Sequence, residues 1–425
     1  MSKITGLISA ARKSKDGKVL IQNFSYLAFL QISGYIFPLI TIPYLARVIG
    51  VEGFGKIAFA SAIIVWFQTV ADWGFNYTAT RDVAKNRDNK EKVSEIFSNV
   101  LWARCLLVLL SFALLILAIL IIPKFRENQA IILVTFLLVP GHIMFPGWFF
   151  QAMERMKYIT ILNILSKLLF TIAVFVFIKE KSDFILQPLF ISLGYVLSGI
   201  IALYYILVKW KVKLHPPKLL SILSTIKKST DVFINNIVPN LYNSFSTVLL
   251  GFYGGSFANG ILDAGSKFVS IIQQFMNVIS RTFFPFLSRR IEKHNLYKNI
   301  NLYTACILSV ILFLFAPIII RLFFTEEFTQ ATTVLRIMSF SIIFLSLSNI
   351  YGTNYMIIVG LEKRLRNITF ISSVIGLMLS FPLILIFDFI GAAITITLTR
   401  LILGMSIMYY ASKIKRSLSI TKLTL

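Results

Sequence analysis

Acidic residues are scarce in this chain of 425 residues: 18 Asp and Glu stand against 42 Lys and Arg, a net charge of +24. Charge of either sign is thin, at 14% of residues, where soluble domains carry roughly 25%. Two cysteines, Cys105 and Cys306, lie inside apolar runs and make neither a disulfide framework nor a metal site. Three histidines, His142, His215 and His294, are too far apart for a ligand spacing. No metal and no cofactor is expected. No cleavable leader is expected either, because the first twenty residues are polar and basic.

What is abundant is apolar: 57% of residues are hydrophobic and 39 are Phe. One globular core cannot bury that much apolar surface, so the bilayer is the expected solvent. About twelve runs reach the roughly 20 residues that a spanning helix needs. They lie near 24–46, 54–75, 97–122, 129–150, 158–178, 184–208, 231–254, 260–287, 301–324, 330–353, 367–387 and 389–411. The seventh and eighth carry the most polar residues. The fold class expected is therefore an all-α integral membrane protein.

The basic residues cluster between these runs rather than along one face, which argues against nucleic acid. "KSKDGK", "RDVAKNRDNKEK", "KWKVKLHPPK", "SRRIEKH", "EKRLR" and "SKIKR" all fall on one side of the expected topology. Positive charge stays in the cytoplasm, so both termini are expected there. The longest internal basic stretch divides the spans six and six. That gives an N-terminal six-helix lobe at 1–208, a basic linker at 209–230 and a second lobe at 231–425. Pro38, Gly50 and Gly53 recur in spacing as Pro239, Gly251 and Gly254, and "MERMKYITILNILS" is similar to "LEKRLRNITFISSV", aligning Glu154 with Glu362. Two halves of the same topology are expected, with proline-broken helices at matching places marking a transport path.

Gly50-x-x-x-x-Gly55-Lys56 matches most of a nucleotide-binding P-loop. The motif needs Ser or Thr next, to hold magnesium, and needs a strand before it. Ile57 follows, and both flanks are spans. The glycines are better read as a turn between the first two spans, and direct ATP hydrolysis is not expected.

Ionisable groups inside spans are costly and usually face the bundle interior. Lys167 and Arg400 lie near mid-span. Arg104 and Arg336 lie a turn or two inside, Asp263 and Lys267 are one turn apart, and Arg47, Lys56 and Asp72 lie near span ends. Cations dominate, which suits an anionic head group, since Arg binds phosphate oxygens in pairs and Lys acts as a point charge. Arg47, Lys56, Arg104, Lys167, Lys267, Arg336 and Arg400 are the candidate cavity cations. The blander alternatives are snorkelling for Arg47, Lys56 and Arg104, and mutual neutralisation for Asp263 and Lys267. Asn235, Asn240 and Gln273, among the amides of the seventh and eighth spans, suit sugar hydroxyls but equally suit helix–helix contacts. Asp72 and Asp263 are the candidates for coupling to a proton or sodium gradient, with the gradient of the substrate itself as the rival energy source. His142, in "VPGHIMFPG", is a weaker proton candidate.

"LQISGYIFPLITIPYLARVIGVEGFGKIAFA" and "ADWGFNYTATRDVAKNRDNKEKVSEIFSNV" resemble the N-terminal signature of the Wzx-type polysaccharide flippases of the MOP superfamily, through P-x-L-x-x-x-G from Pro43 and GFN-x-x-x-T-R-D from Gly74. The resemblance implies two MOP/MATE-like lobes that alternate between inward-open and outward-open states around a cavity lined by helices 1, 2, 7 and 8. It implies export of an undecaprenyl-pyrophosphate-linked repeat unit, such as O-antigen, to the outer leaflet of a bacterial inner membrane, without enzymatic chemistry. A polysaccharide polymerase and a chain-length regulator are implied partners, besides membrane lipids. Two other readings compete: a cation-coupled multidrug antiporter, which would want more membrane carboxylates, and a membrane polymerase or ligase, which would want a large outer loop.

Overall fold

The structure is a computed structural model that describes residues 15–421. The segments before Lys15 and after Thr421, on which the expected cytoplasmic placement of both tails partly bears, lie outside the described residues. Among the described residues there is no strand. In order come α1 (Lys15–Asp72), α2 (Phe75–Lys85), α3 (Lys90–Ile121), α4 (Pro123–Glu127), α5 (Gln129–Phe136), α6 (Leu138–Met144), α7 (Gly147–Ala152) and α8 (Met156–Phe177). Then follow α9 (Leu186–Tyr204), α10 (Leu219–Ile237), α11 (Asn243–Tyr253), α12 (Gly255–Arg289), α13 (His294–Phe323), α14 (Ala331–Ser339), α15 (Ser341–Leu347) and α16 (Glu362–Thr421).

Helices suit this sequence because a helix satisfies its own backbone where no water can. Leu109, Leu117 and Leu120 of α3 are exposed, as lipid-facing side chains are. Buried hydroxyls close onto the turn above: Thr41 donates to the Phe37 carbonyl at 3.1 Å and Ser192 to that of Pro188 at 2.8 Å. Asn89 caps α3, its side chain accepting from the Lys92 N–H at 3.0 Å.

Eight helical stretches among the described residues are long and apolar enough to cross a membrane. Two of them, of 57 and 53 residues, exceed twice the roughly 20 residues that one crossing takes. The long helix in each is interrupted at one non-helical residue, Gly50 within α1 (φ 64°) and Asp388 within α16 (φ 52°). The expected seventh and eighth spans are helical, in α10–α12, but too rich in amides and charge to join the eight.

The proline expectation holds on one side only. Pro239 sits in a tight 3-10 turn, Val238–Leu241, that breaks the seventh span. Pro38 and Pro43 interrupt nothing, since the helix runs through them to Gly50. The fourth span is broken more than expected, into α5, α6 and α7. The tenth ends in a π-helical segment, Ser348–Met356, whose loosened backbone accompanies a buried amide network. There Asn354 donates to Ser280 at 2.7 Å and to the Tyr297 hydroxyl at 3.0 Å.

The chain forms two compact units, one of residues 1–48 and 64–236, the other of 49–63 and 237–425. In the first, Trp73 and Gly74 are both left-handed and end α1. Trp73 stacks on Phe233 at 3.9 Å between ring centroids, and its indole N–H donates to the Ile226 carbonyl. Thr78 and Ser229 share a 2.7 Å hydrogen bond. These contacts fix α10 against α2.

In the second unit, α12 and the 51–63 part of α1 each start at a left-handed glycine, Gly255 and Gly50. The structural counterpart of Gly50 is therefore Gly255, not Gly251. Glu154 (φ 55°) pairs in the same way with Gly360 (φ 78°), not with Glu362. The shift between the halves is then 205 residues at one marker and 206 at the other, a closer agreement than the sequence alignment finds. The Gly50 turn is a helix-to-helix kink with no strand, so it forms no phosphate-binding loop.

Candidate functional site

A cavity of about 200 Å³ lies in the first unit between α1, α8 and α9. Its walls are Phe37, Pro38, Phe170 and Ile191, and its polar groups are Asn163, Ser166, Lys167 and Tyr195. Lys167, Phe170, Ser166 and Asn163 share one stripe of α8 at helical spacing. The ammonium lies against Gly34, where a Cβ would be 3.4 Å from the Lys167 nitrogen. No carboxylate pairs with Lys167 among the described residues. An unpaired ammonium in an apolar pocket beside a phenol and an amide can receive an anionic group whose remainder is apolar or hydroxylated.

A polar chain leads away from this cavity. The Tyr195 ring meets the His142 ring edge to face, 5.7 Å between centroids. His142 Nε2 lies 3.5 Å from Asp72 Oδ2. The other Asp72 oxygen accepts from Arg104 at 3.2 Å, and Arg104 also donates to the Asn76 side chain at 2.8 Å. Arg104 is only 2% exposed. Both Asp72 oxygens are thus engaged by groups from other helices, an arrangement that can hold or pass a proton.

The second unit has its own buried cation. Arg400 is 7% exposed, donating to Ser341 at 2.9 Å and to Asn243 at 3.4 Å. Tyr242 is its neighbour as well. By the shift of 205, Arg400 matches Tyr195 and Tyr242 matches Phe37, so the two halves build comparable positions with different chemistry.

The remaining candidates are scattered. Lys267 and Asp263 pair at 2.6 Å, and Lys267 lies over the Phe54 ring, 5.5 Å from its centroid. Arg336 is exposed, 5.5 Å from the Phe313 ring centroid and within 3.4 Å of the Phe313 carbonyl, so it lies along the flank of α13. Arg47 and Asn235 are exposed, while Lys56, Asn240 and Gln273 are half-buried. Of the twelve candidates, Lys167 lines the cavity described here, and Asp72 with Arg104 and Asp263 with Lys267 come together as pairs. Sequence reading missed Tyr195, Asn163 and Asn76. Each looks like an ordinary membrane polar residue until the helices are placed.

Eight long apolar helical stretches, two of them double-length and kinked, define the class: a multi-pass, all-helical membrane protein. Solved structures agree. A lipid II flippase, MurJ, in an inward closed conformation superposes with a TM-score of 0.71 at 17% identity, covering 92% of this chain and 87% of that one. An inward-facing multidrug resistance MATE family transporter of the MOP superfamily gives 0.65 at 15% identity, over 90% and 96%. At those identities the likeness concerns the fold.

The family model described as polysaccharide biosynthesis protein matches residues 20–291. A protein of Escherichia coli K12 named as an O-antigen transporter is 31% identical over 90% of this chain and 94% of its own length. A capsular polysaccharide biosynthesis protein of Staphylococcus aureus, CapF, is 27% identical over 63% of this chain and 70% of its own. The chain belongs to the polysaccharide biosynthesis protein family.

Proposed function

We propose that this protein is a flippase that carries a lipid-linked polysaccharide repeat unit, of the O-antigen kind, across the membrane by alternating access. The observation that carries the reading is the likeness, over nearly the whole of both chains, to a protein named as an O-antigen transporter. The cavity at Lys167 supports it independently, because its cation, phenol and amide suit a phosphorylated or acidic glycan. The carrier fitting the family resemblance is undecaprenyl pyrophosphate in a bacterial inner membrane, with both termini in the cytoplasm. A polymerase and a chain-length regulator are the expected partners.

The multidrug antiporter reading draws on the MATE fold. The scarcity of acidic residues weighs against it, since cationic drugs need carboxylates, and Asp72 and Asp263 are both already paired with cations.

The energy source we propose is an ion gradient read at Asp72, with His142 as its neighbour. Transport into vesicles with and without an imposed proton gradient tests this; equal rates would remove ion coupling and leave the substrate's own gradient. The test of function itself is whether lipid-linked repeat units accumulate on the cytoplasmic leaflet when the gene is deleted.

A further inference from the structure

The second unit holds a contact with an unusual combination of features. The 51–63 part of α1 crosses α12 with almost no space between backbones. A Cβ on Gly55 would lie 1.6 Å from the Ser256 carbonyl oxygen, and one on Gly260 would lie 2.1 Å from that of Val51. The shift of 205 turns the first contact into the second, so a pseudo-twofold axis passes through the crossing. Small residues permit such approaches between membrane helices.

Asn259 lies beside this crossing, one residue from Gly260. It is fully buried, and neither its amide oxygen nor its amide nitrogen has a protein partner. Its nitrogen abuts Gly251, where a Cβ would lie 2.8 Å from it, and the same Gly251 accommodates the Phe59 ring. A buried amide with both ends unmade is costly, and native structures hold few of them. The shift of 205 puts Phe54 at the matching place in the first half, so the amide belongs to one side only.

We propose that Asn259 sets the balance between closed and open states of this crossing. Closed, the glycines hold the helices together while the amide is desolvated. Open, the amide gains partners, which offsets the packing that is lost. Asn259 is thus a positioning residue, acting through the separation of the helix ends that alternating access requires. The inference rests on the chain being such a transporter.

The test uses Val51→Cys as a reporter at the crossing, in a protein whose Cys105 and Cys306 are serine, purified into nanodiscs. The rate of maleimide labelling reads how often the crossing opens. Removing the orphan amide with Asn259→Leu is expected to slow labelling by roughly tenfold, the size of one unmade buried hydrogen bond, and to slow glycan export in cells. Asn259→Ala gives the same direction if the leucine variant is poorly made. Gly55→Ala, which wedges the crossing, is expected to speed labelling. Labelling of both Asn259 variants at the parent rate overturns the proposal, as does slowed labelling with unimpaired export in a strain shown to depend on this protein. Labelling needs no glycan, so the gate can stand even where the substrate assignment fails.

Discussion

Asp72 and Arg104, 3.2 Å apart, come from different helices, and the guanidinium is buried to 2% exposure while the carboxylate reaches on to His142 at 3.5 Å. Removing one partner strands a buried charge, whereas removing both does not. Asp72→Asn is expected to cost about 3–5 kcal/mol of stability. The double variant Asp72→Asn with Arg104→Gln should lose less than the two single variants summed. Thermal unfolding of the purified proteins as a double-mutant cycle reads the coupling; additive losses would show that the pair does not interact.

Lys167 makes the opposite prediction, because it has no carboxylate to strand. Lys167→Met should leave the protein at least as stable as the parent, since an unpaired cation leaves an apolar pocket. Export should fall by roughly tenfold to a hundredfold if the ammonium holds an anion, and Lys167→Arg should recover part of it. Surface polysaccharide per unit of membrane-inserted protein checks both statements.

Arg400→Gln should likewise impair export with the protein still present in the membrane. The amide is short of Ser341 and Asn243, so Ser341 and Asn243 lose a charged donor but no counter-charge is orphaned. Immunodetection in membranes alongside export separates loss of function from loss of protein.

Glu154 carries a pH prediction outside the spans. The hydrogen bond from Arg87, at 2.9 Å, holds its carboxyl below the usual carboxylate range. A carboxyl depressed in the folded state contributes stability above its unfolded value, and that contribution is lost as pH falls through the folded value. Glu154→Gln should therefore lower the melting temperature slightly at pH 7, and the gap should close in acid below the ordinary carboxylate pKa. Glu154 also sits at φ 55°, which glycine tolerates better. Glu154→Gly should exceed Glu154→Ala in stability by about 1 kcal/mol, both having lost the ion pair.

Much of this architecture is legible in the sequence because the bilayer enforces it. Runs such as 97–122 can be little else but a crossing, and α3 follows that run closely. The repeat was visible but out of register. Glycine spacing draws the eye to Gly251 and Gly254, while the residue that needs a left-handed backbone is Gly255, and only dihedral angles distinguish neighbouring glycines. The charges at Asp72, Arg104 and Lys167 stand out as costly residues in apolar runs. Their partners do not, because the Asp72–Arg104 and His142–Asp72 contacts join distant segments. Arg336 shows the limit of the same reasoning: a cation inside a span can lie along the outside of a helix, against an aromatic ring and a carbonyl.

The central claim is translocation of a lipid-linked glycan, and leaflet asymmetry tests it most directly. In a strain with no other flippase, the gene is deleted and the lipid-linked repeat units are assayed on each face of the inner membrane with an impermeant glycan-modifying reagent. The account predicts that they accumulate on the cytoplasmic face, that surface polysaccharide disappears, and that the parent gene, but not the Lys167→Met variant, restores both. Normal surface polysaccharide in the deletion strain, with repeat units still reaching the outer face, would contradict it.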